Sequence, residues 1–180
     1  MEISNNMNYN EIIKNIIQSY YNDNKKKRIF NKGIQKNEIA EIIEKNIDLT
    51  KHIRNEIYIN QTDDKHIFAS YPNIKDTMCK STYDTISSVL DDIILTVVNK
   101  HQLFFLHIDI FSISVSSINR FKMLIDLFMN KNNLYIEKDR IDYLQKCYIY
   151  NAPPSMQNIS SLLKPLIDAR FIQKIVYVQK

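Results

Sequence analysis

Leu144 to Val178 runs LQKCYIYNAPPSMQNISSLLKPLIDARFIQKIVYV, and the reading of this stretch decides the fold. It parses as strand, tight turn, kinked amphipathic helix and strand. Lys146–Tyr150 alternates Tyr, Cys and Ile in the manner of a pleated strand. Asn151-Ala152-Pro153-Pro154 stops it, because proline lacks the amide a ladder needs and holds the preceding residue extended. Ser155 follows as an N-cap whose hydroxyl is suited to accept from an orphan amide of the next turn. Met156, Ile159, Leu162, Leu163, Leu166 and Ile167 then fall, at about 100° per residue, in one sector about 140° wide. Gln157, Asn158, Ser161, Lys164 and Asp168 fill the other side. Pro165 lies inside the run and predicts a bend. Lys174–Val178, nearly all β-branched or aromatic, predicts a closing strand.

Upstream, Leu103–Ile110 (LFFLHIDI) is apolar at nearly every position, which predicts a strand buried on both faces beneath helices. Ser112–Ser117 turns the chain. Phe121, Leu124, Ile125 and Phe128 mark a helix capped by Ser116 or Ser117 and ended at Asn130–Asn133. Ile136 to Tyr143 reads as a short charged helix leading into the next strand. Earlier, Ser81 and Asp84 form a capping-box-like start to a helix carrying Ile86, Val89, Leu90, Ile93, Ile94, Val97 and Val98. Glu56–Asn60 and Lys65–Tyr71 predict a hairpin, with Pro72 ending its second strand. Tyr9–Tyr20 and Lys36–Ile47 each place isoleucines on one helical face, and the polar Asn22–Arg28 separates them. Within that break, Lys25-Lys26-Lys27-Arg28 reads as a solvated loop ahead of a lipid-facing or targeting patch. Helices alternate with strands through the second half. The fold class is therefore α/β, a mainly parallel sheet covered by helices and joined by right-handed crossovers. The chain divides into a short helical segment over residues 1–50 and a main domain over 51–180.

Composition bounds the function. A chain of 180 residues suits one packed unit that buries about 70% of its unfolded surface. Hydrophobic residues at 44% and charged residues at 24% describe a globular chain. The excess of Asn, Ile and Lys is the codon signature of an AT-rich genome. The lone glycine, Gly33, excludes a Gly-rich phosphate loop and a Gly-x-Ser-x-Gly elbow. Net charge +4 and pI 8.9 allow affinity for anionic membranes or phosphate headgroups without demanding nucleic acid. Two cysteines, Cys79 and Cys147, make no disulfide framework, and Cys147 reads as a small hydrophobe in a strand. The first ten residues lack the charged and apolar regions of a secretory signal. The longest apolar run, Leu103 to Val115, is broken by His107 and Asp109 and is too short to span a bilayer. These features lead us to expect a soluble protein of a reducing compartment, the cytoplasm.

Few residues suggest chemistry. His107-x-Asp109 places two polar side chains on one strand face, and a buried hydrogen-bonded pair outweighs a metal or acid–base site there. Tyr148, Tyr150 and Tyr177 alternate in strands. A base-stacking platform for RNA is one reading, and core packing is the simpler one. No nucleophile, metal or phosphate motif is present, so neither an enzyme nor a cofactor is expected.

Three segments together resemble the CRAL-TRIO lipid-binding family, which includes phosphatidylinositol transfer proteins and tocopherol- and retinaldehyde-binding proteins. They are Asn151-Ala152-Pro153, Leu163-Lys164-Pro165-Leu166-Ile167-Asp168 and Lys174-Ile175-Val176-Tyr177-Val178, in the family's order and without gaps. Leu103–Ile110, ending near Asp109 before a serine-rich turn, matches a further family strand, and the likeness spans Ile67 to Val178. The resemblance implies a hydrophobic cavity closed by a gate helix bearing Met156, Ile159, Leu162, Leu163, Leu166 and Ile167. Burying an aliphatic tail there contributes about 0.8 kcal/mol per methylene. An ordinary core helix is the competing reading of the same periodicity. The resemblance also places headgroup candidates at Asp142 and Lys174. Here Asp142 is shorter than the family's glutamate, and Phe171 stands where the family has a hydroxyl. A strand-end lysine in solvent is the alternative for Lys174. The family pattern continues past the closing strand while this sequence ends at Lys180, which implies a pocket that is open, smaller or completed by another chain. The function implied by the resemblance is non-catalytic binding of a phospholipid or other hydrophobic ligand and its exchange at a transient membrane surface, with which the protein would associate peripherally. The alternative is a lipid-free scaffold for a protein partner.

Overall fold

A computed structural model of the chain describes residues 8–24, 32–130 and 139–178. The basic run Lys25–Arg28, the asparagines at 132 and 133, and positions 136–138 of the expected charged helix lie outside those residues. Helices α1 (Tyr9–Asp23) and α2 (Lys32–Asn46) come first and bury Ile13, Tyr20, Ile39 and Ile43 in a cluster apart from the main core. The Tyr20 hydroxyl donates to Glu38 across the pair. A helix that the sequence reading lacks, α3 (Leu49–Glu56), follows. Asp48 caps it, accepting from the Lys51 amide at 2.9 Å. Its buried stripe is only Leu49, His52 and Ile53, too narrow to stand out among polar neighbours.

Strands β1 (Ile57–Ile59) and β2 (His66–Ser70) form the expected antiparallel hairpin. Pro72 does not simply end β2. It sits in the first turn of a short helix, α4 (Tyr71–Ile74), where its missing amide costs nothing. Then come α5 (Tyr83–His101), β3 (Phe104–Asp109), α6 (Val115–Asn130), α7 (Arg140–Tyr143) and β4 (Leu144–Tyr150). The chain closes with α8 (Met156–Leu163), α9 (Ala169–Ile172) and β5 (Ile175–Val178).

Three caps differ from expectation. α5 is entered through a 3-10 turn, Lys80–Thr82, whose capping box joins Cys79 and Thr82. Ser81 instead donates to Glu44 of α2 at 2.8 Å, tying the N-terminal helices to the main domain. α6 is capped by Ser114, not Ser116 or Ser117: its hydroxyl accepts from the Ser117 amide at 3.3 Å and its carbonyl from Ile118 at 3.1 Å. Ser155 occupies the N-cap of α8 without a side-chain bond, and the Pro153 carbonyl takes the Met156 amide at 2.9 Å.

The strands lie in chain order, β1-β2-β3-β4-β5, and β2 to β5 are parallel. When successive right-handed crossovers all step in one direction, every connecting helix lands on the same side of the sheet. α5, α6 and α8 accordingly all face Leu106, Ile108 and Ile149. The reading of β3 as buried by helices on both faces is corrected here. The register aligns Ile57, Ala69, Ile108, Ile149 and Tyr177 in one row across all five strands, on the helix side. The adjacent row, Tyr58, Phe68, His107, Tyr148 and Val176, points the other way.

That second face contributes none of Phe68, Phe105, Tyr148 or Val176 to the main core, and all four stay half-buried. Its rings stack on one another: Tyr58 on Phe68 at 5.7 Å, Phe68 on His107 at 4.3 Å and His107 on Tyr148 at 4.8 Å. Tyr148 and Tyr150 are therefore not core tyrosines. His107 does not pair with Asp109 either. It lies 2.7 Å from His66 Nδ1 through Nε2 and 2.8 Å from the Tyr150 hydroxyl through Nδ1. Asp109 instead accepts from the Phe111 amide and the Asn151 side chain, each at 2.9 Å, and so clamps the ends of β3 and β4 together. Asn151 turns there at φ 55°, a left-handed conformation that asparagine tolerates.

Candidate binding cavity

On the helix side the sheet is not filled. A cavity of about 510 Å³ lies between the strands and α5, α6 and α8. Its volume is within the roughly 300–1,000 Å³ of sites that take small organic ligands. The floor is the row from Ile57 to Tyr177, flanked by Leu106 and Ile175. Phe121, Leu124 and Phe128 of α6 form the roof together with Met156, Ile159 and Leu163 of α8. Four inter-strand gaps of about 4.8 Å each make the floor about 19 Å long. It begins at Ile57, 2% exposed, and ends at Tyr177, 46% exposed. The cavity is thus an oily slot with a closed end under α5 and a mouth at the β5 edge.

The segment over the mouth is broken more sharply than a bend. α8 stops at Leu163, Lys164–Leu166 is a 3-10 turn, and Ile167 is extended. Asp168 then caps α9, accepting from the Arg170 amide at 2.7 Å. Pro165 removes an amide from the helical ladder, and Asp168 supplies a fresh helix start three residues later. The expected continuous kinked helix is therefore two helices with joints on either side of Leu166 and Ile167.

Of the six expected gate residues, Met156, Ile159, Leu163 and Ile167 line the cavity. Ile159 is fully buried. Leu162 and Leu166 are half-buried and lie outside the lining. Leu162 is at the margin of the apolar sector, and the break at Leu163 takes Leu166 out of helical register. The headgroup candidates also lie outside the lining. The Lys174 ammonium donates to the carbonyls of Ile141 and Leu144, both at 2.5 Å, satisfying groups at the end of α7. Asp142 is exposed and accepts from Arg170 Nη1 at 3.0 Å. Arg170 also reaches Asp139 at 2.7 Å and Asp168 at 2.8 Å. Hydrogen bonds from Arg170 hold the Asp168 carboxyl below the usual carboxylate range. The two candidates are thus engaged by different protein groups and do not meet.

In the row beside the floor, between Leu106 and Ile175, burial pushes the Cys147 thiol up to about 12, so it packs as a neutral hydrophobe. Asp91 and Arg140, both buried, pair at 2.6 Å between α5 and α7, with the guanidinium 5.1 Å from the Phe128 ring. The sequence reading found the α6 stripe as a helix but not as a wall. It placed Ser160 nowhere, Lys164 on the solvent side and Tyr177 in the core. All three line the cavity. One available signal was angular: Ser160 and Lys164, one turn apart, border the apolar sector of α8.

No family model matches the chain, and no curated protein matches it. Among solved structures it is similar to the crystal structure of Sfh5, with a TM-score of 0.52 and 15% sequence identity. The match covers 71% of this chain and 48% of Sfh5, so the chain spans about half the length of that protein. At this identity the likeness is one of fold: a five-stranded, mostly parallel sheet with helices. Among the described residues, no helix is long and apolar enough to cross a membrane.

Proposed function

We propose that this protein binds a hydrophobic ligand in the slot between its sheet and α6–α8, and takes it up or releases it at a membrane surface without chemical change. One observation carries the reading: an elongated cavity walled by methyl groups and aromatic rings, closed over its mouth by a jointed segment. Apolar surface of that extent left facing a void is a standing loss of dispersion contacts, which a hydrocarbon guest restores. Likeness to the fold of Sfh5 supports the reading. Organic extracts of the purified protein, analysed by mass spectrometry, are expected to contain an amphiphile in near-stoichiometric amount. The Leu163→Asp variant is expected to yield little of it. Protein that yields no amphiphile and takes up no fluorescent fatty acid overturns the proposal.

A second reading, a lipid-free interaction scaffold, draws on the half-exposed rings of the opposite sheet face. Under it the extracts are empty while Tyr148→Ala and Phe68→Ala abolish capture of a protein partner.

A further inference from the structure

The slot is not apolar along its whole length. At its mouth three polar side chains line it together: Ser160 on α8, Lys164 one turn further on, and Tyr177 on β5. The Ser160 and Tyr177 hydroxyls are 3.3 Å apart. Lys164 and Tyr177 are both exposed, while Ser160 is half-buried, so the group of three straddles the boundary between oil and water. The other cations nearby are taken. Lys174 is held by two backbone carbonyls and Arg170 by three carboxylates. The Lys164 ammonium has no ion-pair partner among the described residues.

From this arrangement we infer that the mouth is an anion site, and that the ligand is a single-chain amphiphile ending in a carboxylate. Its chain lies along the row of residues leading to Ile57. Its carboxylate sits between the Lys164 ammonium and the Ser160 and Tyr177 hydroxyls. This rests on the reading of the cavity as a hydrophobic-ligand site and adds the chemistry of the head. Two hydroxyl donors and one ammonium suit the two oxygens of a carboxylate, and hydrogen bonds to a charged acceptor are the stronger kind. A cavity of about 510 Å³ has room for one aliphatic chain rather than a branched pair. The mouth is wet, so the charge pair sharpens selection while the buried chain supplies most of the affinity.

The test compares three ligands with the same chain, delivered from cyclodextrin and followed by titration calorimetry: palmitate, hexadecanol and hexadecylamine. The wild-type protein is expected to bind palmitate roughly tenfold more tightly than hexadecanol. Lys164→Gln is expected to lose about three- to tenfold for palmitate and to leave hexadecanol unchanged. Tyr177→Phe loses a smaller factor, again for palmitate alone. Lys164→Glu is expected to reverse the preference, so that hexadecylamine binds best, an exchange no merely structural role for Lys164 produces. Equal binding of acid and alcohol by both wild type and Lys164→Gln overturns the anion site and leaves the cavity reading standing. If none of the three binds the wild-type protein, the cavity reading falls and the anion site with it.

Discussion

The two faces of one sheet have been put to opposite uses. Ile57, Ala69, Ile108, Ile149 and Tyr177 form a row of aliphatic side chains with a tyrosine at its end, and they face a void. The neighbouring row, one residue along each strand, is Tyr58, Phe68, His107, Tyr148 and Val176, and its rings close on themselves. Small and branched side chains beneath stiff helices cannot reach across to fill the space. Flat rings laid side by side fill their own layer. A two-residue period therefore tells which side chains share a face, while their shapes decide whether that face is solid or hollow.

The largest expected effect falls on the hollow side. Arg140→Met removes the guanidinium paired with the buried Asp91 carboxylate beneath the α6 wall and is expected to cost about 3–5 kcal/mol in urea unfolding. A loss below about 1 kcal/mol would show that the pair is not a main tie between α5 and α7. Filling the void is the next test. Ile108→Phe is expected to abolish uptake of a fluorescent fatty acid while leaving thermal stability equal or raised. Tyr148→Phe, on the opposite face, should change neither, and a ligand effect there would erase the distinction between the two sides.

The solid side carries a pH response of intermediate size. Burial first, and His66 second, push His107 down to about 4. In the unfolded chain a histidine takes up its proton near pH 6.5, well above that value. Between those limits the unfolded state binds more protons, so stability falls as pH drops from about 6.5 to 4, by on the order of 2–3 kcal/mol. Burial also lowers His52, which loses stability with falling pH in the same direction. His107→Gln is expected to flatten the response only in part, read as melting temperature against pH, and an unchanged slope would assign it to His52 alone. The smallest effect belongs to Arg170→Gln at the exposed end of the jointed segment. Stability should hardly change, while fatty-acid exchange, followed by stopped-flow fluorescence, should quicken severalfold and become less salt-dependent.

Much of the fold was legible because its signals are local. The strand at Lys146–Tyr150, the proline stop, the stripe from Met156 and the closing strand each rest on a few adjacent residues, and each sits within a residue or two of its expected place. Four of the six expected gate residues line the cavity for the same reason. The remainder depends on partners far apart in the chain. Lys174 looked free until the carbonyls of Ile141 in α7 and Leu144 at the start of β4 closed on it, and Asp142 until Arg170 arrived. The bond between His66 and His107, 41 residues apart, exists only through the β2–β3 register. The mouth trio joins one helix to one strand edge and cannot be read from either alone. The break after Leu163 was half visible. Pro165 announced it, but the new start at Asp168 turned a bend into a separation.

That separation has a kinetic consequence. A rigid rod laid over the slot could be lifted only by peeling its packed flank away or by melting a hydrogen-bonded turn. Two short rods with an extended link at Ile167 can be parted by turning a few backbone torsions, with every helical bond in α8 kept. For the proposed ligand the barrier to entry and departure is then set by solvent reaching the slot and not by unravelling, so exchange rates should rise only gently with temperature.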